Sequence, residues 1–491
     1  MPAIQGKLSD IVILTVGRIL LMLTSIVSTR IFTTLLSPGE IGRFNIILAI
    51  CGLFIFGAIS PVGNYVNRKL IEWKEEGNAR KHLISLGKYL LILAVAAAFI
   101  IFLIQKSFGI GINIQLPWLL FLVFGGTLFS SGNIGYISYL NLLGHRFWFV
   151  LFGVLTSWLG LGISTYLVLH IFADAEHWLL GLLIGQLFFA ISAFLLLFKL
   201  LGKSTPKIKV EKDKSFTLPV VFRFAWPLSI STFLYWLHTQ GYRFIIEKAT
   251  GIEILGFFAV GFGIGVTIMF AFDSLFNEFY SPIFYSQIAH SDNEKRIEAW
   301  NKYAANFFPA LILIAVFAIA NNSLIAHIFT TPKFHWVGYI IVWGVLCESC
   351  RMMASIVGLV THAQFETKKL ILPGVLGVTV ALGGMFFLIN WHPFNGPGLA
   401  LFIGWLISLL FLMREMRKLL PITFPWERVT KSLLISLPII LISLIAKSII
   451  PHPAFLQTVL ILIVGGIYLV GAELFIAKEW LLKGVKITFI K

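Results

Sequence analysis

Apolar residues along this chain fall in runs of about twenty, separated by short polar breaks. At about 1.5 Å per residue, such a run crosses the roughly 30 Å hydrocarbon core of a bilayer as a helix. The alternating pattern of barrel strands is missing from the sequence, and lipid tolerates no open sheet edge, so the pattern predicts an all-α polytopic membrane protein. The runs place fourteen spans at 11–36, 44–66, 87–105, 117–143, 147–171, 178–200, 221–246, 254–280, 303–329, 336–361, 370–390, 397–416, 430–450 and 455–477. Trp118, Trp148, Trp178, Trp336, Trp391 and Trp426 fall near span ends, where amphipathic rings favour the headgroup layer. Pro61, Pro227, Pro309, Pro373 and Pro438 interrupt spans and predict bends.

Composition agrees: 58% of the residues are hydrophobic and 12% charged, against about 45–50% and about 25% in soluble domains. The net charge of +16 would point to nucleic acid in a soluble protein, but its distribution gives it another meaning. Lys and Arg concentrate in every second connection, with 29 of the 38 on one side, 5 on the other (Arg43, Lys106, Lys248, Lys333, Lys447) and 4 inside spans. Basic residues are retained on the cytoplasmic side, so both termini are expected in the cytoplasm, and no nucleic-acid partner is called for.

Lys7 precedes a first run too long for a signal-peptide core and lacking a small-residue cleavage site, so it is expected to remain as the first helix. Cys51, Cys347 and Cys350 lie in apolar runs and form no disulfide framework. Cys347-x-x-Cys350 is half a metal site without a second half, and reads as packing. No Walker-type loop, metal cluster or nucleophile motif appears, so no catalytic residue, metal or cofactor is expected. The loops on the non-cytoplasmic side are too short to house a catalytic domain.

Two segments echo one another. Helix 1 ends in Thr29-Arg30-Ile-Phe-Thr-Thr-Leu-Leu-Ser-Pro-Gly-Glu-Ile-Gly42, and helix 7 in Tyr242-Arg243-Phe-Ile-Ile-Glu-Lys-Ala-Thr-Gly-Ile-Glu-Ile-Leu-Gly256. In each an arginine closes a helix, a polar turn follows, and a glycine opens the next span. A weaker echo links Gly144-His145-Arg146 with Thr361-His362-Ala363. Six helices separate the members of each pair, so the repeats share one orientation. The expected organisation is a lobe over 1–201, a basic linker over 202–220 (Lys203, Lys207, Lys209, Lys212, Lys214), a second lobe over 221–417, and a final helix pair and tail over 418–491. Two pseudo-symmetric six-helix lobes would surround a central cavity.

Over nearly the whole chain, and most specifically from Arg18 to Leu48 and from Phe224 to Gly256, the sequence resembles the Wzx-type polysaccharide flippases of the multidrug/oligosaccharidyl-lipid/polysaccharide (MOP) exporter superfamily. The resemblance implies a transporter, not an enzyme, in the bacterial cytoplasmic (inner) membrane. Its substrate would be an undecaprenyl-diphosphate-linked oligosaccharide for O-antigen, lipopolysaccharide or exopolysaccharide, carried to the outer leaflet by alternating access. A polysaccharide polymerase and chain-length machinery would be its partners. A peptidoglycan-precursor flippase and a cation-coupled small-molecule antiporter of the same superfamily are the alternatives. A membrane glycosyltransferase or polymerase is disfavoured by the short outer loops.

Ionisable side chains at bilayer depth cost about 2.5–3.5 kcal/mol each on insertion scales, so they face water or a partner. Arg18, Arg30, Arg243 and Arg351 qualify, and a guanidinium offers forked, permanent hydrogen bonds to a diphosphate. Arg18 lies too deep to snorkel readily and reads as a cavity residue; Arg30 and Arg243 read equally as interface anchors or cavity ligands. Glu348 and Arg351, three apart on one helix face, are expected to form an internal ion pair, with proton coupling at Glu348 as the sharper alternative. Asp273, Asn277 and Glu278 form a water-facing helix end or, on the sharper reading, a gate or cation site answering to H⁺ or Na⁺.

Overall fold

The computed structural model describes residues 8–108, 114–202, 218–288, 292–364, 366–449 and 454–488. Fourteen helices there are long and apolar enough to span a membrane. They are α1 (Val12–Leu35), α2 (Pro38–Glu76), α3 (Ala79–Ser107), α4 (Leu116–Leu142), α5 (Arg146–His170), α6 (Ala175–Leu201), α7 (Pro219–Thr250), α8 (Ile252–Glu278), α9 (Asn293–Ala320), α10 (Pro332–Thr361), α11 (Lys368–Trp391), α12 (Asn395–Leu419), α13 (Trp426–Ile445) and α14 (Phe455–Ala472). Each answers to one apolar run of the sequence, and no strand occurs among the described residues. The chain is a multi-pass helical membrane protein. The linker lysines Lys203, Lys207, Lys209, Lys212 and Lys214 lie outside the described residues.

Boundaries differ where local capping outweighs hydropathy. The ninth span begins ten residues early because Asp292 caps it, accepting from the Lys295 N–H at 2.9 Å. It stops at Ala320, and residues 322–329 form a separate short helix. At the break Asn321 turns its amide onto the Phe317 carbonyl (2.9 Å). The second span runs well past residue 66, because its charged continuation stays helical until Gly77 at φ 78°. Arg30 and Arg243 do not close their helices, which continue to Leu35 and Thr250. Trp178 is not an interfacial ring: it is 2% exposed and packs on Phe32. Trp391 and Trp426 are exposed as expected.

Packing divides the chain into two compact units, Met1–Gly256 and Phe257–Lys491. In the first, Ser37 caps α2 and the Glu40 carboxylate caps α6, taking the Ala175 N–H at 3.0 Å while paired to Arg43 at 2.8 Å. The seventh span, which the repeat places at the head of the second lobe, packs within this first unit. Trp236 Nε1 donates to the Ala49 carbonyl and Arg243 Nη1 to the Asn45 carbonyl of α2, both at 2.9 Å. Both helices carry a π-turn, at Ile55–Ile59 in α2 and Leu237–Gly241 in α7. The first has a covalent cause: Pro61 has no N–H to return to Gly57 four residues back.

The two repeat glycines meet across α2 and the first turn of α8. A Cβ at Gly42 would overlap the Ile252 carbonyl oxygen, and one at Gly256 would overlap the Pro38 carbonyl oxygen. Each glycine therefore sits where the partner backbone leaves no side-chain space, the small-residue contact by which membrane helices approach closely. Gly256→Leu is expected to destabilise the detergent-solubilised protein by about 1–3 kcal/mol through this overlap. A thermal unfolding curve identical to the wild type would refute the contact.

Candidate functional site

Two groups of intramembrane ionisable residues emerge, one in each unit. In the first unit, a Cβ at Gly17 would stand 2.6 Å from Val150 Cγ1, so Gly17 marks the face of α1 packed on α5. Arg18, the next residue, is therefore turned about 100° from that packed face and is half-buried. Arg30 is half-buried too, about 120° round the same helix from Arg18. Arg243 is half-buried at the α2 contact. One of its donors is spent on the Asn45 carbonyl, while its buried Nε meets no acceptor among the described residues. The interface and cavity readings of Arg243 thus gain a third component, a strut between helices.

In the second unit the structure assembles Asp273, Asn277, Glu348 and Arg351 into one cluster. Arg351 lies 2.6 Å (Nη2) and 2.8 Å (Nε) from Glu348 Oε1, the ion pair expected from their spacing. Arg351 Nη2 also stands 3.5 Å from Asp273 Oδ2, on a different helix. Asn277 Nδ2 donates to Asp273 Oδ1 at 2.6 Å, and its Oδ1 accepts from the Tyr303 hydroxyl at 2.6 Å and from Ser281 Oγ at 3.3 Å. The Glu348, Asp273 and Arg351 side chains are 9%, 14% and 14% exposed, so their charges are largely withdrawn from solvent. Glu278, the neighbour of Asn277, is half-buried.

Glycines bring these residues together. A Cβ at Gly261 would fall 2.9 Å from the Val337 carbonyl oxygen, and one at Gly265 would fall 2.5 Å from that of Ile341. A Cβ at Gly344 would overlap the Phe262 carbonyl. Contacts 261 to 337, 265 to 341 and 273 to 351 keep a nearly constant offset, so α8 and α10 run parallel in close register. Asp273 reaches Arg351 because the glycine seam two turns earlier leaves no side chain between the helices. Tyr303 and the seam were missed in the sequence. The Gly-x-x-x-Gly spacing of 261 and 265 was the available signal for the seam.

Geometrically, the first set is three half-buried guanidiniums on α1 and α7, helices long and apolar enough to span a membrane. The second places two carboxylates around one guanidinium, with an amide and a phenol holding one of the carboxylates in place. No family model matches the sequence, and no curated protein matches it. Solved structures do share its fold. A lipid II flippase, MurJ, in an inward closed conformation superposes with a TM-score of 0.68 at 16% identity, over 97% of this chain and 100% of that one. A multidrug resistance MATE family transporter of the MOP superfamily, in an outward-facing conformation, gives 0.56 at 14% identity, over 83% and 94%. A MOP superfamily transporter from Pyrococcus furiosus gives 0.55 at 14% identity, over 84% and 96%. The chain therefore has the fold of MOP superfamily transporters.

Proposed function

We propose that this protein is a flippase for an undecaprenyl-diphosphate-linked oligosaccharide. It would move repeat units for surface polysaccharide from the cytoplasmic to the outer leaflet of the bacterial inner membrane by alternating access, with both termini in the cytoplasm. The observation that carries the reading is Arg18, a half-buried permanent cation within the first span of a fold shared almost end to end with a lipid II flippase. A diphosphate crossing hydrocarbon must exchange its hydration for fixed donors, and guanidinium supplies two in one plane. Arg30 and Arg243 are the further candidates for that role.

The Asp273/Glu348/Arg351 cluster is our candidate for coupling. Two carboxylates around one guanidinium leave room for one more positive charge, as a proton or Na⁺, whose arrival and departure would alter how α8 and α10 are held. Indifference of transport to both gradients would remove it from that role. The polymerase and chain-length machinery remain the proposed partners.

The test is reconstitution into liposomes with labelled undecaprenyl-diphosphate oligosaccharide, reading the label exposed to a membrane-impermeant oxidant over time. Protein-dependent exposure is expected. No transfer would overturn the reading, transfer of lipid II alone would replace it with the peptidoglycan-precursor reading, and efflux of a cationic dye alone would replace it with the antiporter.

A further inference from the structure

On the surface of the first unit a cavity of about 280 Å³ opens between α3, α4 and α6. That is near the lower end of small-ligand pockets, wide enough for a chain and narrow for a sugar. Gly87 and Gly132 lie in its lining, Ile84 and Ile191 are its exposed residues, and Tyr136 contributes the only polar side chain of the lining. Close helix contact does not explain the glycine at 132: a Cβ there would meet only ordinary contacts, 3.5 Å to Tyr136 and 3.7 Å to Ala190. Gly132 is thus unlike Gly42, Gly256 or Gly265, and the hollow it leaves serves no packing need. Protein interiors are close-packed, so an apolar hollow open to a bilayer is filled by hydrocarbon.

Charge at the rim narrows the choice of hydrocarbon. Lys81 and Lys88, both exposed, lie three residues before and four after Ile84, within about 60° of it around α3 and so beside the exposed Ile84 edge of the cavity. Arg80, by contrast, is committed to the fold: its Nε donates to the Phe198 carbonyl at 2.8 Å and its guanidinium lies 4.3 Å from the Phe198 ring. Two snorkelling lysines beside an apolar slot match a phosphate attached to a chain.

We propose that this cavity binds one acyl chain of an anionic phospholipid, with the headgroup phosphate held between Lys81 and Lys88. The site shares no residue with the arginines or the ion cluster and does not depend on what the protein transports. A lipid wedged there would tie α3, α4 and α6 together from the membrane side.

The experiment uses the full-length protein in nanodiscs containing phosphatidylglycerol or phosphatidylcholine carrying a photoactivatable group on one acyl chain, with labelled peptides identified by mass spectrometry. Phosphatidylglycerol is expected to label the segments around Ile84 and Ile191 preferentially. Gly132→Leu, which fills the slot, should reduce that labelling about tenfold while leaving labelling of the exposed faces of α13 and α14 unchanged. Lys81→Gln and Lys88→Gln, on an exposed face and so folding normally, should each cut the preference for phosphatidylglycerol about fivefold. Equal labelling by the two phospholipids, or a preference that survives both lysine replacements, would overturn the proposal. So would stronger labelling of these segments by a photoactivatable polyprenyl phosphate, which would make the occupant an isoprenoid.

Discussion

Arg351→Met should unfold at a markedly lower temperature than the wild type, by an amount corresponding to about 3–5 kcal/mol, and should not transport. Removing the guanidinium leaves Glu348 and Asp273 facing one another with little solvent, and breaking a buried pair by deleting one partner strands the remaining charge. The physical cause can be isolated by removing the stranded charges as well. Asp273→Asn/Glu348→Gln/Arg351→Met should recover most of the lost stability, because neutral groups of similar shape carry no such penalty. If the cluster couples transport to an ion, this triple variant stays inactive although it is folded. Melting of the single variant at the wild-type temperature would show that the cluster carries no structural load. Full transport by the triple variant would remove it as a coupling site.

Arg18→Ala should leave abundance in the membrane unchanged while slowing substrate transfer about 10- to 100-fold. Arg18 lies off the α5 contact face marked by Gly17, so its loss leaves that packing intact. What is lost is one or two charge-assisted hydrogen bonds to a diphosphate, each worth about 1.5–3 kcal/mol. Arg18→Lys should restore part of the rate, since an ammonium keeps the charge and loses the planar fork. Arg243→Ala tests a second of these cations. It should cost about 1 kcal/mol of stability as well as rate, because Arg243 also holds the Asn45 carbonyl. Wild-type transport by Arg18→Ala would reduce that residue to a structural one.

The Glu348–Arg351 pair was legible from spacing alone, since residues three apart on a helix meet whatever surrounds them. Its third member was not. Asp273 and Arg351 are brought together by Gly261, Gly265 and Gly344, and nothing local to these three of the chain's 42 glycines tells which helix each meets. Tyr303 was hidden for the same reason, standing among aromatic residues on a third helix until the fold turned its hydroxyl onto Asn277. The ninth span was misplaced because its amphipathic start is held by the Asp292 cap rather than by hydropathy. Pro61 was read as a bend and accompanies a π-turn; the π-turn at Leu237–Gly241 has no proline beside it, and only tertiary contacts with α2 distinguish it.

The sequence by itself determined that the chain is a helical membrane protein with fourteen spans, where its intramembrane charges lie along those spans, and which of them pair within one helix. These properties depend on hydropathy and helical period, which are local. Only the tertiary structure decided that Gly42 and Gly256 mark one backbone contact, that Arg243 braces α2, that Asp273 completes the Glu348–Arg351 pair, and that an apolar hollow opens between α3, α4 and α6. Each of these joins residues far apart in the chain, and their meeting depends on how closely two helices can approach, which the absence of a side chain permits but does not by itself specify.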